Sequence, residues 1–140
     1  MAPLSDDELA AWHACKALGD QVTRRVGADI AAETGYSGTD YGVLSRVAEL
    51  GGGSLRQQTL ADSIGLHKGA LSHQLTRMES RDLIRRERAR GGVEVVLTAQ
   101  GEQALRRVRP VHAAAVRKYL LDRLTDQDRA ALLRIAAALG

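Results

Sequence analysis

Phenylalanine is absent from this chain of 140 residues, and its only aromatics are three tyrosines and one tryptophan. The core therefore has to be built from leucine, valine, isoleucine and alanine. The shortage also argues against single-stranded nucleic acid as a partner, because unpaired bases are held by stacking on aromatic faces. Cysteine occurs once, at Cys15. No internal disulfide can form, and a reducing cytoplasm is the expected compartment. No apolar run approaches ~20 residues, and no basic segment followed by an apolar one opens the chain, so neither membrane insertion nor secretion is expected. The four histidines, His13, His67, His73 and His112, show no H-x3-H spacing, so neither a metal nor another cofactor is expected. No nucleophile elbow, phosphate loop or paired acid–base set is present, which speaks against an enzyme. Linkers, repeats and low-complexity tracts are also missing, so residues 1–140 are expected to form a single domain, long enough to bury a core unaided.

What the chain does have is an uneven charge. The net charge is only +3, but residues 1–67 carry five Lys and Arg against nine Asp and Glu, a net of −4. Residues 68–90 carry seven against three, a net of +4, and residues 91–140 carry eight against five, a net of +3. A charge run is ordinarily a solvated face. This one coincides with a helix-turn-helix pattern, and there it is the footprint expected for a polyanionic partner.

That pattern lies in LADSIGLHKGALSHQLTRMESRDLIRRERARGGVEVVL, residues 60–97. Ala61 lets two helices approach, Ile64, Leu66 and Leu71 pin them, and Gly65 turns the chain where a side chain would clash. Leu71, Leu75 and Met78 fall on one face of the second helix. Lys68, Gly69, Ser72, His73 and Thr76 fall on the other, a short polar face suited to a major groove. Duplex DNA is therefore the expected partner.

Punctuation gives the remaining elements. Ser5 with Glu8 forms a capping box that opens a helix to about Glu33, with an apolar stripe from Leu9 through Trp12, Cys15, Gly19, Val22 and Val26 to Ile30. Ser37 caps a second helix bearing Tyr41, Leu44, Val47 and Leu50, which stops at Gly51–Gly53. Ser54 with Gln57 reads as a capping box for the first helix of the motif. Leu83–Arg90 and Val93–Leu97 read as strands joined across Gly91-Gly92. Thr98 caps a helix running to Leu124, with a kink expected at Pro110, and Thr125 with Asp128 opens the last. The expected class is mainly α with a small β-hairpin wing, in the order α-α-α-α-β-β-α-α. A winged helix-turn-helix core at 37–98 is flanked by helices at 5–33 and 99–140. The apolar faces of those flanking helices exceed what such a core can cover, so they are expected to be dimerisation helices of a two-fold homodimer. Such a dimer would set two recognition helices on successive major grooves, roughly 34–36 Å apart.

The segments SGTDYGVLSRVAEL, LADSIGLHKGALSHQLTRMESRDLIRRE, VVLTAQGEQAL and DRLTDQDRAALLRIAAAL resemble the MarR family of bacterial transcriptional regulators. The Leu97-Thr98-x-x-Gly101 element after a hairpin is fairly specific in that context. The resemblance implies an obligate dimer that usually represses nearby genes and is released by a small anionic or phenolic ligand, or by an oxidant. Family wings commonly carry Asp-x-Arg at the tip, where the aspartate orients the arginine. Here the tip is Arg88-Ala89-Arg90-Gly91-Gly92, and that aspartate is missing.

Roles follow from position. Ser72 and His73 are the expected base-edge readers, with Lys68 and Gly69 at the helix start. Ser54, Gln57, Thr76 and Arg77 are the expected phosphate contacts. Arg86, Arg88 and Arg90 form the wing, suited to a narrow A·T-rich minor groove. The competing role for any arginine is an ion pair with Glu79, Asp82 or Glu87, and Arg81 and Arg85 are assigned to it. A ligand wedged between arms and terminal helices would be lined by Trp12, Lys16 and Tyr41. Cys15 lies on the apolar stripe, where a free cysteine is ordinarily a small buried hydrophobe. A thiol-based oxidant sensor of the same fold is the alternative. An architectural DNA binder or a protein-interaction module without ligand control is the competing class, but a polar recognition face disfavours protein docking.

Overall fold

In a computed structural model describing residues 1–140, helix α1 (Asp6–Thr34) opens on the Ser5/Glu8 capping box. Helix α2 (Gly38–Gly51) follows, opened by a second box between Ser37 and Asp40. The chain then forms strand β1 (Ser54–Arg56), helix α3 (Gln57–Ile64), helix α4 (Lys68–Ser80) and strands β2 (Ile84–Ala89) and β3 (Gly92–Leu97). Helix α5 (Ala99–Tyr119), a 3-10 turn at Leu121–Arg123 and helix α6 (Asp126–Leu139) complete it. The result is a winged helix with long helices at both ends.

Strand β1 corrects the sequence reading. Ser54 is not a helix cap: it pairs with Val96 in an antiparallel sheet of order β1-β3-β2, and Arg56 stands at the N-cap of α3 without a side-chain cap bond. A three-residue strand offers too little alternation to read, and it exists because β3 presents an open edge. The hairpin turn is also shifted by one residue from the expected Gly91-Gly92. Ala89 pairs with Gly92, so the turn is Arg90-Gly91, with Gly91 at φ 81°. Pro110 lies inside an unbroken α5. That helix ends at Tyr119 rather than Leu124, where the chain tightens into the 3-10 turn.

The main core gathers Val43, Leu44 and Val47 of α2, Leu60 of α3, Leu71, Leu75 and Met78 of α4, and Leu83, Ile84 and Val95 around the sheet. Ala104 and Leu105 join it, so the first turns of α5 belong to the winged lobe and not to a separate flanking helix. Gly101 makes this possible, because a Cβ there would stand 2.0 Å from the Leu83 carbonyl oxygen. Thr98 locks the same corner: its hydroxyl accepts from Gly101 N–H at 3.0 Å and donates to Asp82 carbonyl at 2.6 Å. A second, smaller cluster of Val26, Ile30, Val108 and Ala115 joins α1 to α5. Tyr119 seals it, its hydroxyl donating to Asp29 at 2.9 Å.

Residues 1–21 have no buried member, and neither does α6. Cys15 is exposed on the protomer, which corrects its assignment as a buried residue. No helix is long and apolar enough to cross a membrane.

Candidate nucleic-acid interface

Helix α4 is held by its inner face and leaves its outer face free. Leu71, Leu75 and Met78 are fully buried, whereas Lys68, Gly69 and His73 are exposed and Ser72 is half-buried. His67 precedes the helix without a side-chain cap, so the first backbone N–H groups of α4 are open to an external acceptor. The structure thus brings Lys68, Gly69, Ser72 and His73 together on one accessible surface.

A buried polar cluster fixes how α4 sits, and sequence reasoning missed it. Asp40 is 3% exposed. Its carboxylate accepts from Ser37 N–H at 2.9 Å, from Gln74 Nε2 at 2.7 Å and from Arg81 Nη1 at 2.9 Å. Gln74 in turn accepts from Arg77 Nη2 at 2.6 Å. Three donors on one buried acid satisfy its charge and tie the start of α2 to the middle and end of α4. Arg81 is therefore structural, but its partner is Asp40 and not one of the nearby acids. The signals were present as Ser37-x-x-Asp40 and as a glutamine on the buried face of α4. Their meeting across 34 and 41 residues was not legible.

The wing residues divide into engaged and free. Arg86 Nη2 lies 2.7 Å from Glu79 Oε1 and also donates to Thr76 Oγ1 at 2.8 Å, so it bolts the base of β2 to α4 instead of projecting outward. The Arg86 hydrogen bonds hold the Glu79 carboxyl below its usual range. Thr76 also donates to the Ser72 carbonyl, which commits its only hydroxyl donor within the protein. Arg85 pairs with Glu87 at 2.7 Å. Arg88 and Arg90 are exposed and have no acid partner. Ser54 donates to Glu94 at 3.0 Å, and Gln57 is half-buried at the first position of α3.

Tyr41 lines a cleft of about 620 Å³ between α1, α2 and α5, together with Val22, Val26, Ile30, Arg24, Arg46 and His112. The Tyr41 and His112 rings stack with centroids 4.3 Å apart. Burial raises the Tyr41 pKa and lowers that of His112, so both rings are held neutral near pH 7. Arg46 donates to the carbonyls of Ser63 and Gly42, each at 3.2 Å, and meets no carboxylate. Trp12 and Lys16 are not part of this cleft. They sit together on the exposed half of α1, with the ammonium 5.3 Å from the ring centroid. Trp12 is ten residues before Val22, roughly 15 Å along a helix axis.

An exposed polar recognition face and a basic hairpin on one lobe define a winged helix-turn-helix protein of the DNA-binding class. A model of the MarR family matches residues 28–92. AbsC, a MarR family transcriptional regulator from Streptomyces coelicolor, is 34% identical, with a TM-score of 0.85 over 99% of this chain and 98% of that one. The chain belongs to the MarR family of transcriptional regulators. Sco3205, another such regulator from Streptomyces coelicolor, solved in complex with DNA, is 27% identical with a TM-score of 0.88, over 99% and 89% of the two chains. A MarR variant from E. coli complexed with operator DNA is 15% identical with a TM-score of 0.82, over 99% of each chain, a likeness of fold alone. Among curated proteins, none matches the sequence.

Proposed function

We propose that this regulator acts as a homodimeric repressor on a pseudo-palindromic duplex and is released by a small anionic aromatic ligand. The observation that carries DNA reading is the outer face of α4, where Lys68, Ser72 and His73 stand clear of the core, flanked by Arg88 and Arg90 without acid partners. His73 and Ser72 read base edges in the major groove, Arg77 and the free α4 N–H groups hold phosphate, and the two tip arginines enter the adjoining minor groove. Sco3205, with its DNA, supports the same reading. Repression follows from occupancy, since a dimer seated across a promoter excludes polymerase.

The apolar residues left open on the terminal helices support the dimer. Trp12 and Leu18 on α1, and Leu133, Ile135 and Leu139 on α6, are all exposed. An isolated helix of 14 residues is marginal in water without packing, so α6 needs a partner, and a second copy supplies the same surface under two-fold symmetry. The cleft beside Tyr41 supports ligand control. Its volume suits a small molecule, Val22, Val26, Ile30 and Val116 supply an apolar wall, and Arg24 and Arg46 bring positive charge to the lining. A ligand wedged there favours one spacing of the two recognition helices and changes DNA affinity without touching DNA.

Footprinting on the DNA flanking its own gene, with light scattering at micromolar protein, tests the reading. Two protected half-sites and a dimeric mass are expected. A monomeric mass, or equal affinity for that site and random duplex, overturns it. Titration with salicylate is expected to release the DNA, and the ligand reading falls if aromatic acids leave binding unchanged. Peroxide is expected to have no effect, with or without Cys15→Ser. A peroxide-driven release abolished by that substitution would make the thiol-sensor account the better one.

A further inference from the structure

The wing ends in a two-residue turn followed by a second glycine, Arg90-Gly91-Gly92. Such a tip has high conformational freedom, which is lost on binding at a cost. No acid stands between Arg88 and Gly92 to pair with its arginines. The structure supplies a support from elsewhere. Strand β1 is pinned by Leu55, which is buried in the main core, and its register sets Arg56 directly opposite Glu94 on β3. Arg56 Nε lies 2.9 Å from Glu94 Oε1, while Ser54 Oγ donates to Oε2 at 3.0 Å. Both carboxylate oxygens are thereby held. From this anchored position Arg56 Nη2 donates to the backbone carbonyl of Arg90 at the turn. Its Nη1 lies 3.5 Å and 3.2 Å from where a Cβ on Gly91 or Gly92 would stand, so the glycines leave room for the guanidinium.

The geometry points to Arg56 as the positioning residue of the wing, a strut that runs from the core-anchored strand to the backbone of the tip. It fixes the tip backbone, and so the roots of Arg88 and Arg90, at a set distance from α4. Because Arg56 is also the residue at which β1 passes into α3, one side chain ties the start of the helix-turn-helix to the end of the wing. The guanidinium fork is required, since one ammonium cannot bond a carboxylate and a carbonyl in this spread geometry. The inference rests on the proposal that the wing engages DNA.

The test uses the full-length protein, a duplex selected from a random pool, and four variants: Arg56→Ala, Arg56→Lys, Arg88→Ala/Arg90→Ala and the last combined with Arg56→Ala. Backbone 15N relaxation at Gly91 and Gly92 is expected to show a more mobile tip in both Arg56 variants, with the α4 amides unchanged. Affinity for the selected duplex is expected to fall roughly 3- to 10-fold in each, together with loss of A·T preference at the outer positions. Adding Arg56→Ala to the Arg88→Ala/Arg90→Ala variant is expected to cost nothing further. Wild-type behaviour of Arg56→Lys, or an unchanged tip with equal losses on selected and random duplex, overturns the strut in favour of a charge or phosphate contact. If Arg88→Ala/Arg90→Ala weakens binding and Arg56→Ala does not, the strut alone falls. If Arg88→Ala/Arg90→Ala changes nothing, the wing does not touch DNA and both readings fall.

Discussion

The winged lobe and the terminal helices are built from the same aliphatic residues, yet one is finished within the protomer and the other is not. In the lobe, Leu44, Leu60, Leu71, Leu75 and Met78 are all at 0% exposure. In α6, Leu133 and Leu139 are 72% and 79% exposed. Composition cannot separate the two regions, because both carry aliphatic residues on amphipathic helices, and α2 and α6 alike open on capping boxes. Closure separates them: the helices and sheet of the lobe enclose its core side chains, whereas the first half of α1 is exposed and α6 buries no residue, meeting its own protomer along an open groove with Leu18, Leu120 and Leu124. The difference assigns a job to each. Under the proposed function, the lobe presents the reading face and the exposed ends are the surface for another copy.

Substitutions at two glycines test that contrast most sharply. Gly101→Ala drives a methyl into the Leu83 carbonyl, which no rotamer can relieve, and is expected to cost upwards of about 3 kcal/mol. Thermal and chemical unfolding at a fixed protein concentration would read it. Gly19→Ala, on α1, meets nothing within 4 Å in the protomer and is expected to strengthen the helix by about 0.5–1 kcal/mol. A loss of dimer affinity in Gly19→Ala would instead place a close helix crossing at that point of the interface.

Core truncation should behave in the same divided way. Leu75→Ala is expected to destabilise by ~2–5 kcal/mol, independent of protein concentration. Leu133→Ala is expected to leave the lobe folded but to make the melting temperature fall steeply on dilution. A concentration-independent loss in Leu133→Ala would mean that α6 packs on its own protomer.

On the reading face, Asp40→Ala removes the acceptor for Gln74, Arg81 and the Ser37 N–H, and is expected to cost ~1–3 kcal/mol of stability. His73→Ala should leave stability unchanged and cost ~1–3 kcal/mol on the specific duplex, with little effect on random DNA. Equal losses on both duplexes would show that His73 clamps phosphate and does not read bases.

The smallest effect concerns pH. Burial holds the His112 pKa below its ordinary value of 6.5, with Glu49 opposing in part. Above pH 6.5 the ring is neutral folded and unfolded, and contributes no pH dependence. Below it the unfolded chain takes up the proton first, so stability falls from about pH 6.5 down to the folded pKa and then levels. Melting temperatures from pH 8 to pH 5 should show a shallower acid slope in His112→Gln than in wild type. An unchanged slope would mean that the cleft does not desolvate this ring.

The sequence by itself determined every element type except strand β1 and the 3-10 turn, the helix starts at Ser5, Ser37, Thr98 and Thr125, the inner face of α4 and the placement of positive charge. All of these are local, set by capping chemistry and by a period of three to four residues. The Leu97-Thr98-x-x-Gly101 element was legible as a pattern, but its reason was not. Only the folded chain brings the Leu83 carbonyl under Gly101. Tertiary structure alone decided that Ser54 and Arg56 form a strand, that Asp40 anchors the recognition helix, and that Arg86 is engaged while Arg88 and Arg90 are free. Each is a pairing between residues distant in sequence, and a side chain capable of several partners takes the one that the packing of the core sets within reach.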